Sequence, residues 1–234
     1  MDTIISFDRV IKTYDKEIAL RDASFSVGAG EFVCFVGPSG AGKSTILKII
    51  AGLEKESSGK VVRPENVAVV FQSGALFPWL TVFDNVAIGL RALHAPEGAV
   101  QKETRRYIEL MGLGEYGAKY PRELSGGQRQ RVGVARALAV NPAVLLLDEP
   151  FSELDIKTTD ELHKDIVRMW QETHKTIVMV SHSIEEAVTL ANRIILIKNF
   201  SVARIFDISL PRPRREQEPG IEREVMQIRR EFFR

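Results

Sequence analysis

Gly37-Pro38-Ser39-Gly40-Ala41-Gly42-Lys43-Ser44-Thr45 is the stretch of the sequence that decides the fold. It fits G-x-x-x-x-G-K-[ST], and its surroundings are those the pattern requires: an apolar strand, Glu31 to Val36, before it and a helical pattern, Lys43 to Ala51, after it. Glycines let successive backbone N–H groups curl inward around an anion, and the following helix presents its positive end to the same place. Lys43 adds a point charge for β- and γ-phosphates, and Ser44 an oxygen for magnesium. A turn that merely joins strand to helix has no need of Lys-Ser at those positions.

Outward from this loop, short apolar or alternating runs predict strands at Ile4 to Val10, Val67 to Phe71, Val144 to Leu147, Thr176 to Val180 and Arg193 to Ile197. Helical periodicity marks Glu103 to Met111, Gly127 to Ala139, Thr158 to Glu172 and Ile184 to Ala191. Strands alternating with helices predict an α/β core with a mostly parallel, covered sheet. The stretch from about 76 to 140 has helices without a strand and reads as a helical subdomain inserted in a domain spanning 1–208. From 209 to 234 the character changes: Leu210-Pro211-Arg212-Pro213-Arg214 is followed by apolar residues Ile221, Val225, Ile228 and Phe232 at helical spacing, which predicts a terminal amphipathic helix.

The 234 residues carry 32 Lys+Arg against 31 Asp+Glu, so no global charge draws the chain to nucleic acid or an anionic surface. A single cysteine, Cys34, excludes an intramolecular disulfide, suits a reducing compartment, and reads as a small core residue. The N-terminal run lacks the pattern of a signal peptide, and the apolar stretch Val132 to Leu147 is interrupted by Arg136, Asn141 and Pro142. If the chain works at a membrane, the expectation is that it does so through other subunits.

Two more stretches carry chemistry. Val144-Leu145-Leu146-Leu147-Asp148-Glu149 ends a buried strand in two acids, where Asp148 suits the magnesium side and Glu149 the attacking water. Leu124-Ser125-Gly126-Gly127-Gln128 opens a helix with Ser125 as N-cap, making a second surface able to hold phosphate. One triphosphate needs only part of this apparatus, which favours two chains arranged head to tail.

With these motifs in this order the sequence resembles the ABC transporter ATPases over Ile4 to about Arg214, with Walker A at Gly37 to Thr45, the family signature at Leu124 to Gln128 and Walker B at Val144 to Asp148. The resemblance implies a P-loop core with an N-terminal antiparallel β part and the helical insert. It implies ATP and Mg2+, Glu149 as catalytic base, Gln72 as a glutamine loop touching magnesium and water, His182 as a switch histidine at the γ-phosphate, and Tyr14 stacked on adenine. Ser152-Glu153-Leu154-Asp155 corresponds to the D-loop. Glu153 stands where Ala is commoner and Ser183 where Asp is commoner. A bland alternative for Tyr14 is a core position, whereas His94, His163 and His174 read as ordinary surface residues.

The implied assembly is a homodimer of ATPase subunits at the cytoplasmic face of the membrane, bound to transmembrane permease subunits, with a substrate-binding protein acting indirectly. Leu76 to Val82 is apolar for a loop and fits a docking groove for a permease helix, a buried corner being the alternative. Ala75 to Leu90 and the tail Leu210 to Arg214 are similar to the nitrate, sulfonate and taurine importer branch. An exporter motor, or a non-transport ABC protein acting on ribosomes or DNA, is the competing expectation.

Overall fold

The computed structural model describes residues 2–15, 17–214 and 218–233; residues 215–217 and 234 of the expected tail lie outside this set. In chain order the elements are β1 (Thr3–Tyr14), β2 (Glu17–Gly28), β3 (Phe32–Val36), α1 (Lys43–Ile50), β4 (Ser58–Val62), β5 (Val67–Val70), α2 (Val82–Ala92), α3 (Glu97–Leu110) and α4 (Gly126–Ala139). There follow β6 (Val144–Asp148), α5 (Ile156–Thr173), β7 (Thr176–Ser181), α6 (Ile184–Leu190), β8 (Arg193–Lys198), β9 (Ser201–Asp207) and α7 (Pro219–Phe232). They fall into two compact units, residues 1–67 with 175–234, and residues 68–174.

In the first unit, β1 is flanked by β2 and β4 in an antiparallel sheet. A second sheet is centred on β3, which runs parallel to β7 on one side and β8 on the other, with β9 antiparallel at the edge of β8. Every residue of β3 is buried. Covering on both faces is why Phe32 to Val36 reads as an unbroken apolar run, and why Cys34 lies in the core with its thiol pKa pushed well up by burial. Glu31 at the base of this sheet is tied to Arg193 at 2.9 Å. The second unit sets β5 beside β6 and packs α2, α3 and α4 against one another, with α5 against α4.

The fold adds three strands that the sequence reading missed: β2, β4 and β9. In β2 the inward positions Leu20, Ala23, Phe25 and Val27 break strict alternation between Leu20 and Ala23, where Asp22 has φ +48 and the register with β1 slips. A bulge of this kind hides a strand from a period-two search. β4 and β9 are mostly solvent-facing, so the tertiary pairing defines them more than any apolar pattern. Helix α3 begins at Glu97, six residues ahead of the expected Glu103, because Pro96 occupies its N-cap.

Candidate nucleotide-binding and hydrolysis site

In the first unit the loop from Gly37 to Gly42 joins the C-terminal end of β3 to α1. Gly42 is the N-cap of α1 at φ +103, and a Cβ there would stand 2.4 Å from the carbonyl oxygen of Ala19, so neither conformation nor space admits a side chain. Lys43 is 4% exposed, and its ammonium donates to the carbonyls of Gly37 at 2.7 Å and Pro38 at 2.9 Å. The cation is therefore turned back into its own loop. Pro38, Ser39, Gly40 and Ser44 are exposed, while Ala41 is buried and Thr45 half-buried. A buried ammonium that donates to loop carbonyls, beside the positive end of α1, is placed where an incoming polyphosphate would meet it. The hydroxyl of Ser44 and the carboxylate of Asp148 are hard oxygen donors of the kind magnesium takes.

Tyr14 ends β1 with 38% of its surface exposed, which excludes the core alternative; the Lys12 ammonium lies 4.6 Å from its ring centroid. His182 is exposed in the turn between β7 and α6. Ser183, where Asp is commoner, is the N-cap of α6, its Oγ accepting the backbone N–H of Glu186 at 3.1 Å. A hydroxyl performs the capping task of the carboxylate it replaces.

In the second unit Ser125 caps α4 reciprocally with Gln128: Ser125 Oγ accepts the Gln128 N–H at 3.2 Å, and Gln128 Oε1 accepts the Ser125 N–H at 2.9 Å. Gly126 and Gly127 form the first turn, and a Cβ on Gly127 would stand 2.3 Å from Thr158 Cγ2 in α5. Asp148 and Glu149 are half-buried at the end of β6. Glu149 has φ +49, an uncommon region for a residue with a side chain, and its carbonyl accepts from Ser152 Oγ at 3.0 Å. Asp155 of the D-loop caps α5, and its hydrogen bonds from Thr158 hold the carboxyl below the usual range. Gln72 is exposed just beyond β5.

Several residues that hold the neighbouring loops escaped the sequence reading. Gln130, Gly133 and Arg136 recur at three-residue spacing along α4. Gln130 donates to the Phe71 carbonyl at 3.3 Å, Gly133 allows close approach of Gly74, and Arg136 donates to the Gly74 and Ala75 carbonyls at 2.8 and 2.9 Å. The helix that begins at Ser125 thus holds the loop that carries Gln72. Between Leu76 and Val82 the buried-corner expectation fails for Trp79, which is 69% exposed, and holds for Val82, which is fully buried. The turn is wound around Asn85, a buried amide that accepts from the Phe77 N–H and donates to the Phe77, Leu80 and Thr81 carbonyls. His163, expected at the surface, is 5% exposed in α5, edge-on to Phe151 with centroids 4.4 Å apart. An apolar stripe of Leu162, Ile166 and Met169 draws that side of α5 into the interior and the imidazole with it.

A buried parallel strand that feeds a glycine-rich loop, a buried lysine and a helix N-terminus defines a P-loop nucleotide-binding protein. The ABC transporter family model matches residues 20–152. A spermidine/putrescine import ATP-binding protein of Mycoplasma capricolum is 41% identical over 215 residues, which are 87% of this chain and 61% of that protein. The chain thus spans less than two thirds of that relative's length. A nitrate import ATP-binding protein of Synechocystis is 42% identical over 208 residues, 83% of this chain and 77% of that protein. Among solved structures, the dimeric post-hydrolysis state of the ATP-binding cassette MJ0796 bound to ADP and Pi superposes with a TM-score of 0.77 at 33% identity, covering 89% of this chain and all of that one. The chain belongs to the ABC transporter family.

Proposed function

We propose that the chain is the ATP-hydrolysing subunit of a bacterial ABC importer, working as a homodimer on the cytoplasmic face of the membrane with permease subunits, and that its cargo is nitrate, a sulfonate, taurine or a related small nutrient. The observation that carries the reading is Lys43: a buried ammonium seated in a glycine-rich loop at the N-terminal end of a helix suits a polyphosphate. The loop Gly37 to Thr45 binds the phosphates of ATP, and the exposed Tyr14 ring offers a flat face to adenine. Ser44, Gln72 and Asp148 would hold Mg2+, which when bound neutralises phosphate charge. Glu149 accepts a proton from the attacking water or orients it, and His182 donates to the γ-phosphate. Ser125 to Gln128 of one subunit complete the phosphate contacts of its partner, which the dimeric cassette of similar fold supports.

Among the described residues no helix is long and apolar enough to cross a membrane, and a peripheral place accords with that. The two curated relatives carry cargoes as unlike as a polyamine cation and the nitrate anion at nearly equal identity, which supports placing cargo selection outside this chain, in a separate binding protein and the permease. The exposed Trp79 beside Phe77, with ring centroids 5.5 Å apart, supports Leu76 to Val82 as the permease-facing surface.

Glu149→Gln is expected to keep ATP affinity while slowing turnover by about a hundredfold or more, the effect of removing a positioned base. Turnover at the wild-type rate would remove Glu149 from its role. Lys43→Ala is expected to weaken nucleotide binding itself in a fluorescence titration, and unchanged affinity would count against the cradle.

A further inference from the structure

Helix α6 has only seven residues and starts immediately after the His182 turn. A helix of two turns does not hold its conformation in water by its own hydrogen bonds, so its ends must be fixed from outside. Its last four carbonyls, those of Val188, Thr189, Leu190 and Ala191, are the acceptors that the helix itself leaves without partners. All four are taken by two guanidinium groups of the Pro/Arg segment. Arg214 donates to Val188 at 2.8 Å and Ala191 at 2.6 Å, and Arg212 donates to Thr189 at 3.2 Å and Leu190 at 2.5 Å. Arg214 spends its remaining donors on Ile208 and Leu210 and is 8% exposed. Two cations at a helix C-terminus are also favoured by its dipole.

The opposite end of α6 is tied to the same tail. Glu185 in the first turn pairs with Arg229 of α7 and accepts a hydrogen bond from Ser183 Oγ at 3.1 Å, so a chain of polar contacts runs from α7 to the residue after His182. Helix α7 packs on α6 and buries Ile221, Val225 and Ile228. Arg204 of β9 holds Glu231 near its far end at 2.7 Å.

We propose that the tail, from Ile208 to Arg214 together with α7, is a positioning element for His182, and that Arg214 is its principal residue. The proposal rests on the reading of His182 as the γ-phosphate contact. The tail grips α6 at both ends, α6 fixes the Ser183 cap, and the cap sets where the adjoining imidazole stands. Lysine in place of Arg214 keeps the charge but offers donors from a single point, so it cannot span carbonyls that the planar fork reaches together.

Single-turnover ATP hydrolysis by the purified full chain, in excess over ATP so that slow rates are measurable, tests this in four forms: wild type, Arg214→Lys, His182→Ala and the double variant. Arg214→Lys is expected to slow hydrolysis about tenfold while the ATP affinity stays within about twofold, since the nucleotide is held at Lys43 and not by α6. In the His182→Ala background the same substitution is expected to change the rate less than about twofold. Equal slowing in both backgrounds, or an effect on affinity alone, overturns the positioning role while leaving His182 in place. His182→Ala at the wild-type rate overturns the reading of His182 and the proposal with it. Should Arg214→Lys fail to fold, the charge swap of Glu185→Arg with Arg229→Glu serves: each single variant slower, the pair restored toward wild type, and no restoration counting against the tail.

Discussion

His163 shows what one buried side chain does to the whole molecule's response to acid. Burial pushes its pKa down from 6.5 to about 4, with Asp160 pulling weakly the other way, and among the described residues no hydrogen-bond partner reaches its Nε2. In the unfolded chain the imidazole takes its proton near pH 6.5, so between there and about pH 4 the unfolded state binds more protons than the folded one. The stability contributed by keeping His163 neutral is therefore complete above pH 6.5 and drains away as pH falls through that window, by about 3 kcal/mol in all at roughly 1.4 kcal/mol per pH unit. Urea denaturation of the wild type is expected to weaken more steeply between pH 6.5 and 4.5 than that of His163→Leu. Parallel pH profiles would show that the imidazole titrates normally. The sequence hid this residue because a lone histidine in a charged helix looks solvated; the buried stripe of Leu162, Ile166 and Met169 and the packing of Phe151 against the ring say otherwise.

At the scale of elements, α2 and α4 act as braces for loops. Thr81 caps α2 with its Oγ accepting the Asp84 N–H at 3.1 Å, and Asp84 is held below its usual pKa range first by Arg91 and then by Thr81. One turn on, Asn85 fastens four backbone groups of the segment before the helix. Asn85→Leu fills the same space but removes the amide from the Phe77 N–H and the Leu80 carbonyl, whereas the Phe77 and Thr81 carbonyls keep the N–H groups of Leu80 and Asn85, and the expected loss is about 1–3 kcal/mol of unfolding free energy. A change below about 0.5 kcal/mol in a denaturant titration would mean that water replaces the amide. A signal for Asn85 was present in the sequence: Val82, Asn85, Val86 and Leu90 share one helical face, and a polar residue on an apolar stripe asks for a partner. No such signal marks Arg136, because arginine in a helix is ordinary until the loop it reaches is known.

For the whole molecule, the phosphate contacts proposed at two helix ends, Gly42 and Ser125, ask for more than one chain. Glu149→Gln with ATP and magnesium is expected to elute as a dimer in gel filtration and as a monomer without nucleotide, since ATP adds contacts only in the closed pair. A monomer under both conditions would argue against the shared site. What the sequence by itself determined is local structure: the glycine loop, the apolar strand that ends in two acids, the helix capped by Ser125 and the order in which they come. These depend on short-range rules, such as which residue tolerates a positive φ, which caps a helix and which run is apolar on both faces, and short-range rules are legible in one dimension. Only the tertiary structure decided the strands whose pairing is bulged or half-exposed, the burial of His163, and the partners of Arg136, Asn85, Arg212 and Arg214. Each of those outcomes depends on a backbone group distant in the chain or exposed by a loop's particular path, and no local pattern encodes where that group will stand.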